Sequence, residues 1–213
     1  YHVAPEEVFH YETYLRGNSR NAVQMAEQSR EFITSESDKP FFLYFATSDP
    51  HRGGGKDKTS KRELKPDLFG NKPNRKSHDG IEEVFYDPKK VPIPAFLPDT
   101  PETREELAQY YQSVSRIDQG VARLVKILKD ADLYDKTLIV FTSDHGFHLG
   151  ENGRWAKQSL WERSTRVALF ISVPHGLQGK ACSRPVELLS LYPTWLQLCG
   201  LPANDHLEGV NLK

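Results

Sequence analysis

Three largely apolar runs, each of strand length, limit what this chain can fold into. The runs cover residues 41–46, 137–142 and 166–173, and none of them alternates strictly between polar and apolar side chains. Such runs are typical of strands that are covered on both faces, as in the parallel sheet of an α/β protein. We therefore predict an α/β fold in which helices flank a mostly parallel central sheet, that is, three α/β/α layers.

Helical periodicity marks the segments around these runs. Apolar residues at three- and four-residue steps predict a long helix over residues 102–131, and Thr100-Pro101 supplies its cap and first helical position. A shorter helix is predicted over residues 21–35. Another is predicted over residues 187–199, starting near Tyr192, because the proline that follows Tyr192 cannot lie in a helix interior.

A segment with little regular pattern, about residues 52–101, lies between the first run and the long helix. It contains three consecutive glycines and seven prolines. Nine basic and four acidic residues between His51 and Gly80 leave a local charge of +5. This basic stretch is either a solvated loop or a rim that attracts an anionic substrate, and the sequence leaves both interpretations open.

The composition of the chain excludes several functional classes. Its 213 residues hold 28 Lys and Arg against 29 Asp and Glu, and this balance argues against a general nucleic-acid binder. No apolar run approaches the roughly 20 residues that a membrane-spanning helix needs. Cys182 and Cys199 are too few for a disulfide scaffold or a thiolate metal site, and we expect both to be buried structural thiols.

Polar residues that could take part in catalysis or metal binding follow two of the apolar runs directly. Asp49-Pro50-His51 comes after the first run, and Asp144-His145-Gly146 comes after the second. In open α/β sheets, functional sites lie beyond the carboxyl ends of the strands. At a turn, an adjacent carboxylate and imidazole can converge on one ion. Taken alone, however, either sequence is more typical of an ordinary turn than of a site.

The longer context of these residues carries a resemblance to a known family. The segment Ser143–Lys157 resembles the second metal-binding segment of the sulfatases, which belong to the alkaline-phosphatase-like superfamily. Asp49–Arg52 resembles the family's middle motif, in which a histidine enters the active site. Residues 116–121 resemble the helix before the metal-binding strand, and residues 188–202 resemble a later helix. These matches follow the family's order and span about residues 40–212.

Different parts of the chain resemble different branches of the family. Residues 41–52 and 86–101 look most like heparan N-sulfatases, whereas residues 144–157 look more like iduronate-2-sulfatases and choline sulfatases. The resemblance therefore implies hydrolysis of a sulfate ester or N-sulfate, on a sulfated sugar or sulfated small molecule, without fixing the substrate. It also implies a periplasmic, secreted or lysosomal location, and no nucleic-acid partner.

The resemblance assigns roles to four residues. Asp144 and His145 would complete the coordination of a divalent cation, with calcium as the first choice. Manganese or zinc is the alternative, because imidazole suits these metals better than it suits calcium. Lys157 would bind a sulfate oxygen and stabilise the charge that develops in the transition state. His51 would contact the sulfate ester near its leaving oxygen, as a hydrogen-bond donor or general acid.

Two parts of the family's machinery have no counterpart in this sequence. Sulfatases use a formylglycine made from Cys or Ser in a Cys/Ser-X-Pro-X-Arg motif, and neither Cys182 nor Cys199 lies in one. A strand that ends in paired aspartates, the source of the other metal ligands, is also missing. We therefore expect residues 1–213 to be the central and C-terminal part of one sulfatase catalytic domain, inactive by itself, with the formylglycine in a part that precedes Tyr1.

Two other functions are compatible with the same residues. The Asp-His pair at 144–145 also suits a phosphonate or phosphodiester hydrolase of the same superfamily. A non-catalytic relative that binds sulfated glycans would keep His51 and Lys157 while dispensing with the nucleophile. The sequence ranks a sulfatase first, because the matched segments follow that family's order.

Overall fold

The structure is a computed structural model, and it describes only part of the chain. The described parts are residue 15 and residues 17–51, 78–82 and 84–212. They belong to two compact units, one up to Ala131 and one from Asp132 onward, which are treated in turn below. The basic stretch at 52–76, predicted to be a loop or a substrate-attracting rim, lies outside the described residues. That the whole chain belongs to one catalytic domain stays a prediction.

Five helices and four short strands are assigned in the described residues, together with single 3₁₀ turns at 88–90, 134–136, 151–153 and 188–190. In chain order the elements are α1 (Ala22–Gln28), α2 (Arg30–Thr34), α3 (Pro101–Asp130), β1 (Ile139–Thr142), β2 (His148–Leu149), β3 (Trp155–Ala156), α4 (Glu162–Thr165), β4 (Leu169–Ser172) and α5 (Leu191–Leu198).

The helices of the first unit confirm the predictions from periodicity. The helix α3 begins at Pro101, and the Thr100 hydroxyl accepts a hydrogen bond from the backbone N–H of Thr103 (3.3 Å), as expected of a cap. The helix predicted at 21–35 forms as two pieces, α1 and α2, which meet at Ser29. The Ser29 hydroxyl donates to the Met25 carbonyl (2.9 Å), a bond that competes with regular helix geometry.

The helices α1 and α3 pack closely, and Gly120 makes the close approach possible. A Cβ atom at Gly120 would lie 2.3 Å from the Cβ of Ala22 and 2.9 Å from its carbonyl carbon. Glycine within a helix costs about 0.5–1 kcal/mol relative to alanine, so the contact offsets an intrinsic penalty. The buried apolar residues of this unit are Ala22, Val23, Ala26, Ile33, Val91, Leu107, Ala108, Ile127 and Leu128.

The first apolar run does not form the strand that was predicted for it. Residues 41–46 form no strand with any part of the chain that the structure describes. No regular secondary structure is assigned to them, and every second side chain is open to solvent: Phe42 and Tyr44 are 64% and 70% exposed. A strand exists only when neighbouring strands satisfy its backbone N–H and C=O groups, so an apolar run without a partner forms no strand.

The second unit contains the strands, and their direction also differs from the prediction. The strands β1 and β4 pair antiparallel, with Ile139 opposite Ser172 and Thr142 opposite Leu169. The strands β2 and β3 form a small antiparallel hairpin. Residues 143–168, all of which the structure describes, connect β1 and β4 and hold one α-helix, the four-residue α4, whereas a parallel crossover usually runs through a longer helix. The α/β class is supported, whereas the mostly parallel sheet is not confirmed.

The structure also tests the burial expected of the two cysteines, which both lie in this unit. Cys182 and Cys199 are both exposed free thiols, so the prediction that they are buried is wrong. Cys199 caps the C-terminal end of α5 and Cys182 lies in an irregular segment, so neither belongs to a packed face of a regular element. Among the residues that the structure describes, no helix combines the length and hydropathy that crossing a bilayer requires.

Candidate functional site

The turn after β1 brings Asp144 and His145 to the end of a strand, as predicted. One Asp144 oxygen, Oδ1, accepts hydrogen bonds from the His145 backbone N–H (3.0 Å) and from the Ser143 hydroxyl (3.3 Å). The Asp144 side chain is 83% exposed, and its second oxygen lies 3.5 Å from His145 Nε2. The carboxylate is thus fixed through one oxygen and keeps the other beside the imidazole.

Gly146 lets this turn lie directly against the backbone of α4. Its N–H donates to the carbonyl of Ser164 (2.8 Å). A Cβ atom at position 146 would lie 2.1 Å from the carbonyl oxygen of Arg163 and 2.8 Å from that of Arg166. Both obstacles are backbone atoms, which cannot rotate away, so the turn that carries Asp144 has room only for glycine.

His145 and Lys157 are joined by a hydrogen bond. The Nδ1 of His145 lies 2.8 Å from the carbonyl oxygen of Gly146, which only accepts, so Nδ1 carries the proton. In the neutral imidazole, Nε2 is then an acceptor, and the Lys157 ammonium donates to it over 2.8 Å. Three of the four residues singled out in the sequence, Asp144, His145 and Lys157, therefore meet in one place.

The backbone around Lys157 is held in an unusual conformation. Its two neighbours, Ala156 and Gln158, have φ angles of +75° and +73°, in the left-handed region that side chains with a Cβ disfavour. Each such residue costs on the order of 1–2 kcal/mol. Strain of this kind persists only where the surrounding structure imposes it, and it clusters at functional sites. The backbone on both sides of Lys157 is therefore held in place by its surroundings.

A buried chain of polar side chains connects the hairpin with the turn. His148, on β2, is completely buried, and its Nε2 contacts the Ser159 hydroxyl (3.0 Å). The Ser159 hydroxyl in turn contacts that of Ser164 (2.8 Å), whose carbonyl holds Gly146. The other ring nitrogen of His148 is buried and has no partner among the residues that the structure describes. The sequence assigned no role to His148, which lies inside the matched segment Ser143–Lys157.

Asp144 and His145 fit a divalent cation as part of a ligand set. Cations bind carboxylate oxygen and imidazole nitrogen at about 2.0–2.6 Å, so atoms 3.5 Å apart can both reach one ion. Within the described ranges, no group of three or more His, Cys, Asp or Glu side chains could hold a metal. The lone pair that His145 would offer a metal is the one that accepts the bond from Lys157.

His51, the fourth predicted site residue, lies in the first unit. Its exposed side chain follows a turn in which the His51 N–H donates to the carbonyl of Ser48 (2.9 Å). Its own carbonyl accepts a hydrogen bond from Arg20 (3.1 Å). The structure therefore places His51 in a backbone-ordered turn, as expected of a residue that follows Asp49-Pro50.

Sequence reasoning missed the residues that support this turn. Arg116, on α3, is 1% exposed and forms an ion pair with Asp49, from its Nε to Oδ2 over 2.6 Å. Gln112, Arg116 and Gly120 recur at four-residue steps along an amphipathic helix and were the available signal, because they mark one polar, buried face.

The comparisons with known proteins match these observations. The sequence profile of the Sulfatase family matches residues 2–201, nearly the whole chain, and the chain belongs to this family. This confirms the resemblance seen in Ser143–Lys157 and Asp49–Arg52.

Two curated relatives and one solved structure illustrate the relationship. The chain is 33% identical over 216 residues to N-sulphoglucosamine sulphohydrolase from Homo sapiens, covering 94% of this chain and 41% of that protein. It is 30% identical to iduronate 2-sulfatase from Homo sapiens, covering 86% and 39%. Its fold is like that of the phosphonate monoester hydrolase SpPMH from Silicibacter pomeroyi, with a TM-score of 0.67 at 21% identity, covering 90% and 40%. The chain thus spans about two fifths of the length of these proteins.

Proposed function

We propose that the protein containing this chain is a sulfatase that hydrolyses sulfate esters or N-sulfates of a sulfated sugar. Membership of the family supports the reaction class. The names of two relatives, N-sulphoglucosamine sulphohydrolase and iduronate 2-sulfatase, support a sugar substrate. The observation that carries the proposal is the convergence of Asp144, His145 and Lys157, since it joins a cation-binding pair to an ammonium group that can bind an anion.

Lys157 binds a sulfate oxygen in this proposal. Its ammonium has three N–H groups, and one of them is directed at His145 Nε2. Because a cation would take that same Nε2 lone pair, this N–H would turn to the anion when His145 binds the cation. An ammonium held by a strained backbone needs little rearrangement when negative charge develops on the sulfate oxygens. Preorganised charge of this kind is among the largest contributions to catalysis.

Asp144 and His145 contribute two ligands to a divalent cation, with calcium first and manganese or zinc as alternatives. Bound there, the cation would neutralise charge on the sulfate oxygens. The remaining ligands and the formylglycine are expected outside residues 1–213. The proposed three-layer arrangement, with a mostly parallel central sheet, and a periplasmic, secreted or lysosomal location follow the same family resemblance.

His51 acts at the leaving-group oxygen, as a hydrogen-bond donor or general acid. An exposed imidazole on an ordered turn is within reach of a substrate oxygen and can act as a hydrogen-bond donor or general acid. Its N–H is hydrogen-bonded to Ser48 within the turn and its carbonyl accepts from the Arg20 side chain, so the backbone that carries the ring is fixed.

The choice between a sulfatase and a phosphonate or phosphodiester hydrolase is tested with the whole protein. The alternative is favoured by the imidazole of His145, because nitrogen ligands suit manganese and zinc. Turnover is measured on an aryl sulfate and an aryl phosphonate, together with the metal content of the purified protein. We expect sulfate hydrolysis to exceed phosphonate hydrolysis. Activity confined to the phosphonate, with bound manganese, would overturn the proposal.

The roles of individual residues are tested by substitution in the whole protein. We expect Lys157→Ala and His51→Ala each to reduce turnover of an aryl sulfate by about 10²-fold or more, as the loss of a transition-state contact does. Lys180→Ala, which removes an exposed lysine from the same unit as Lys157, is the matched control and should leave turnover unchanged. A non-catalytic glycan-binding protein would show no turnover in any variant, the wild type included.

A further inference from the structure

We propose that Arg116 is a positioning residue that acts on catalysis through His51, by holding the carboxylate of Asp49. This inference rests on the role proposed above for His51. It concerns a buried ion pair in the first unit that the proposed chemistry leaves without a function.

The ion pair between Arg116 and Asp49 is buried and two-pronged. Both side chains are only 1% exposed. Arg116 donates from Nε to Asp49 Oδ2 (2.6 Å) and from a terminal nitrogen to Oδ1 (3.2 Å), so both carboxylate oxygens are held. A second terminal nitrogen of Arg116 donates to the side-chain carbonyl of Gln112, one turn earlier on α3. The planar guanidinium is therefore fixed in orientation as well as in place.

A second arginine connects the carboxylate with His51 itself. One terminal nitrogen of Arg20 donates both to Asp49 Oδ1 (2.7 Å) and to the backbone carbonyl of His51 (3.1 Å). The Thr47 hydroxyl donates to the Asp49 carbonyl (2.9 Å). The chain therefore passes from an anchored carboxylate to His51 within two residues, and the backbone carbonyls at both positions are hydrogen-bonded.

A buried ion pair is weak evidence for stability, since removing two charges from water costs as much as their attraction returns. A pair of this kind can instead enforce one geometry where apolar side chains of similar volume would allow several. The residue that this pair orients is a turn carboxylate two positions before a histidine of the proposed active site. We infer that the geometry it enforces is the placement of the His51 imidazole, since displacing a reacting group by about 1 Å can cost about 10²-fold in rate.

The test is Arg116→Lys in the whole protein, with Arg104→Lys as the matched control. Lysine keeps the charge but has no planar fork, so it cannot hold both oxygens of Asp49. Arg104 lies on the same helix and is also held by several hydrogen bonds, since it donates to the carbonyls of Pro88, Lys89 and Val91. None of these bonds reaches the turn that carries His51. We expect Arg116→Lys to lower kcat on an aryl sulfate by about tenfold or more, and Arg104→Lys to leave it unchanged.

A double-substitution cycle separates positioning from a general structural effect. If Arg116 acts through His51, then Arg116→Lys should change kcat by less than about twofold in the His51→Ala background. An equal loss of kcat in both backgrounds, or no loss in the wild-type background, would overturn the inference. Should Arg116→Lys fail to fold, Arg20→Lys, whose native side chain is 19% exposed, enters the same cycle with the same expectations.

Failure of the inference and failure of the proposed function give different results. Normal turnover of His51→Ala would remove the role assigned to His51, and the inference with it. Impaired turnover of His51→Ala together with normal kcat of Arg116→Lys would overturn the inference alone.

Discussion

Replacing Gly146 by alanine should damage the proposed site through the backbone. The added Cβ would lie 2.1 Å from the Arg163 carbonyl oxygen, whereas a carbon normally approaches a carbonyl oxygen to about 3.3 Å. The turn and α4 must therefore separate by about 1 Å. This separation would stretch the 2.8 Å hydrogen bond from the Gly146 N–H to the Ser164 carbonyl. The perturbation reaches Asp144 and His145 directly, because they form the same turn.

The expected magnitude follows from this displacement. Forcing an extra methyl group into a packed region costs about 1–3 kcal/mol of unfolding free energy. A shift of about 1 Å in the groups proposed to bind cation and sulfate lowers turnover by about 10²-fold. We therefore expect the turnover of Gly146→Ala to fall by much more than the fraction of unfolded protein at the assay temperature would explain. The reason is that the substitution displaces the site within the folded protein itself.

The assay compares turnover of an aryl sulfate with thermal unfolding of the same preparations of the whole protein. Gly179→Asn is the matched control: Gly179 also lies in the second unit, its φ is +63°, which asparagine tolerates, and no atom lies within 4 Å of a Cβ built there. We expect this control to retain normal turnover. Wild-type turnover and stability in Gly146→Ala would refute the close packing described here.

Three further predictions concern backbone and charge. Gly120→Ala should destabilise the protein by about 1–3 kcal/mol in chemical unfolding, despite the better helix propensity of alanine, because its Cβ would clash with Ala22; equal or higher stability would contradict the close helix contact. Ala156→Gly should leave unfolding free energy unchanged or raise it by up to about 1 kcal/mol, because glycine relieves a positive φ; a clear loss would contradict the strained geometry. The hydrogen bond from Arg104 lowers the pKa of the Asp99 carboxyl. The pair therefore stabilises the folded protein at a pH above the ordinary aspartate pKa, which lies near 4. This stabilisation is lost as the pH falls through the lower pKa of the folded state. Asp99→Asn should therefore be less stable than wild type in urea unfolding at neutral pH and equal to it in strong acid, and a difference that persists in acid would contradict the pairing.

The helices were predictable from the sequence because their signals are local. The cap at Thr100 and the apolar steps that follow it lie within a few residues of each other, and α3 forms where they indicate. Strand pairing depends instead on residues far apart in the chain. The run at 41–46 has the composition of a buried strand, but composition does not supply a partner. Nor does the composition of the runs that contain β1 and β4 indicate that these two strands pair antiparallel.

The candidate site was predictable in part for the same reason. Asp144, His145 and Lys157 lie within one short segment, so a matched pattern was enough to select them, and the structure brings them together. The ion pair of Asp49 with Arg116 joins residues 67 positions apart. The four-residue spacing of Gln112, Arg116 and Gly120 marks a polar face on α3, but nothing in the sequence identifies Asp49 as the partner of Arg116.

The most direct measurement of the central claim is the affinity of the whole protein for inorganic sulfate, determined by titration calorimetry. In the proposed site, the turn after β1 and the strained hairpin present Lys157 to a sulfate oxygen. We therefore predict that Lys157→Ala weakens sulfate binding by about tenfold or more, the loss of one charge-assisted hydrogen bond, while Lys180→Ala binds as the wild type does. Equal sulfate affinity in the wild type and in Lys157→Ala would contradict it.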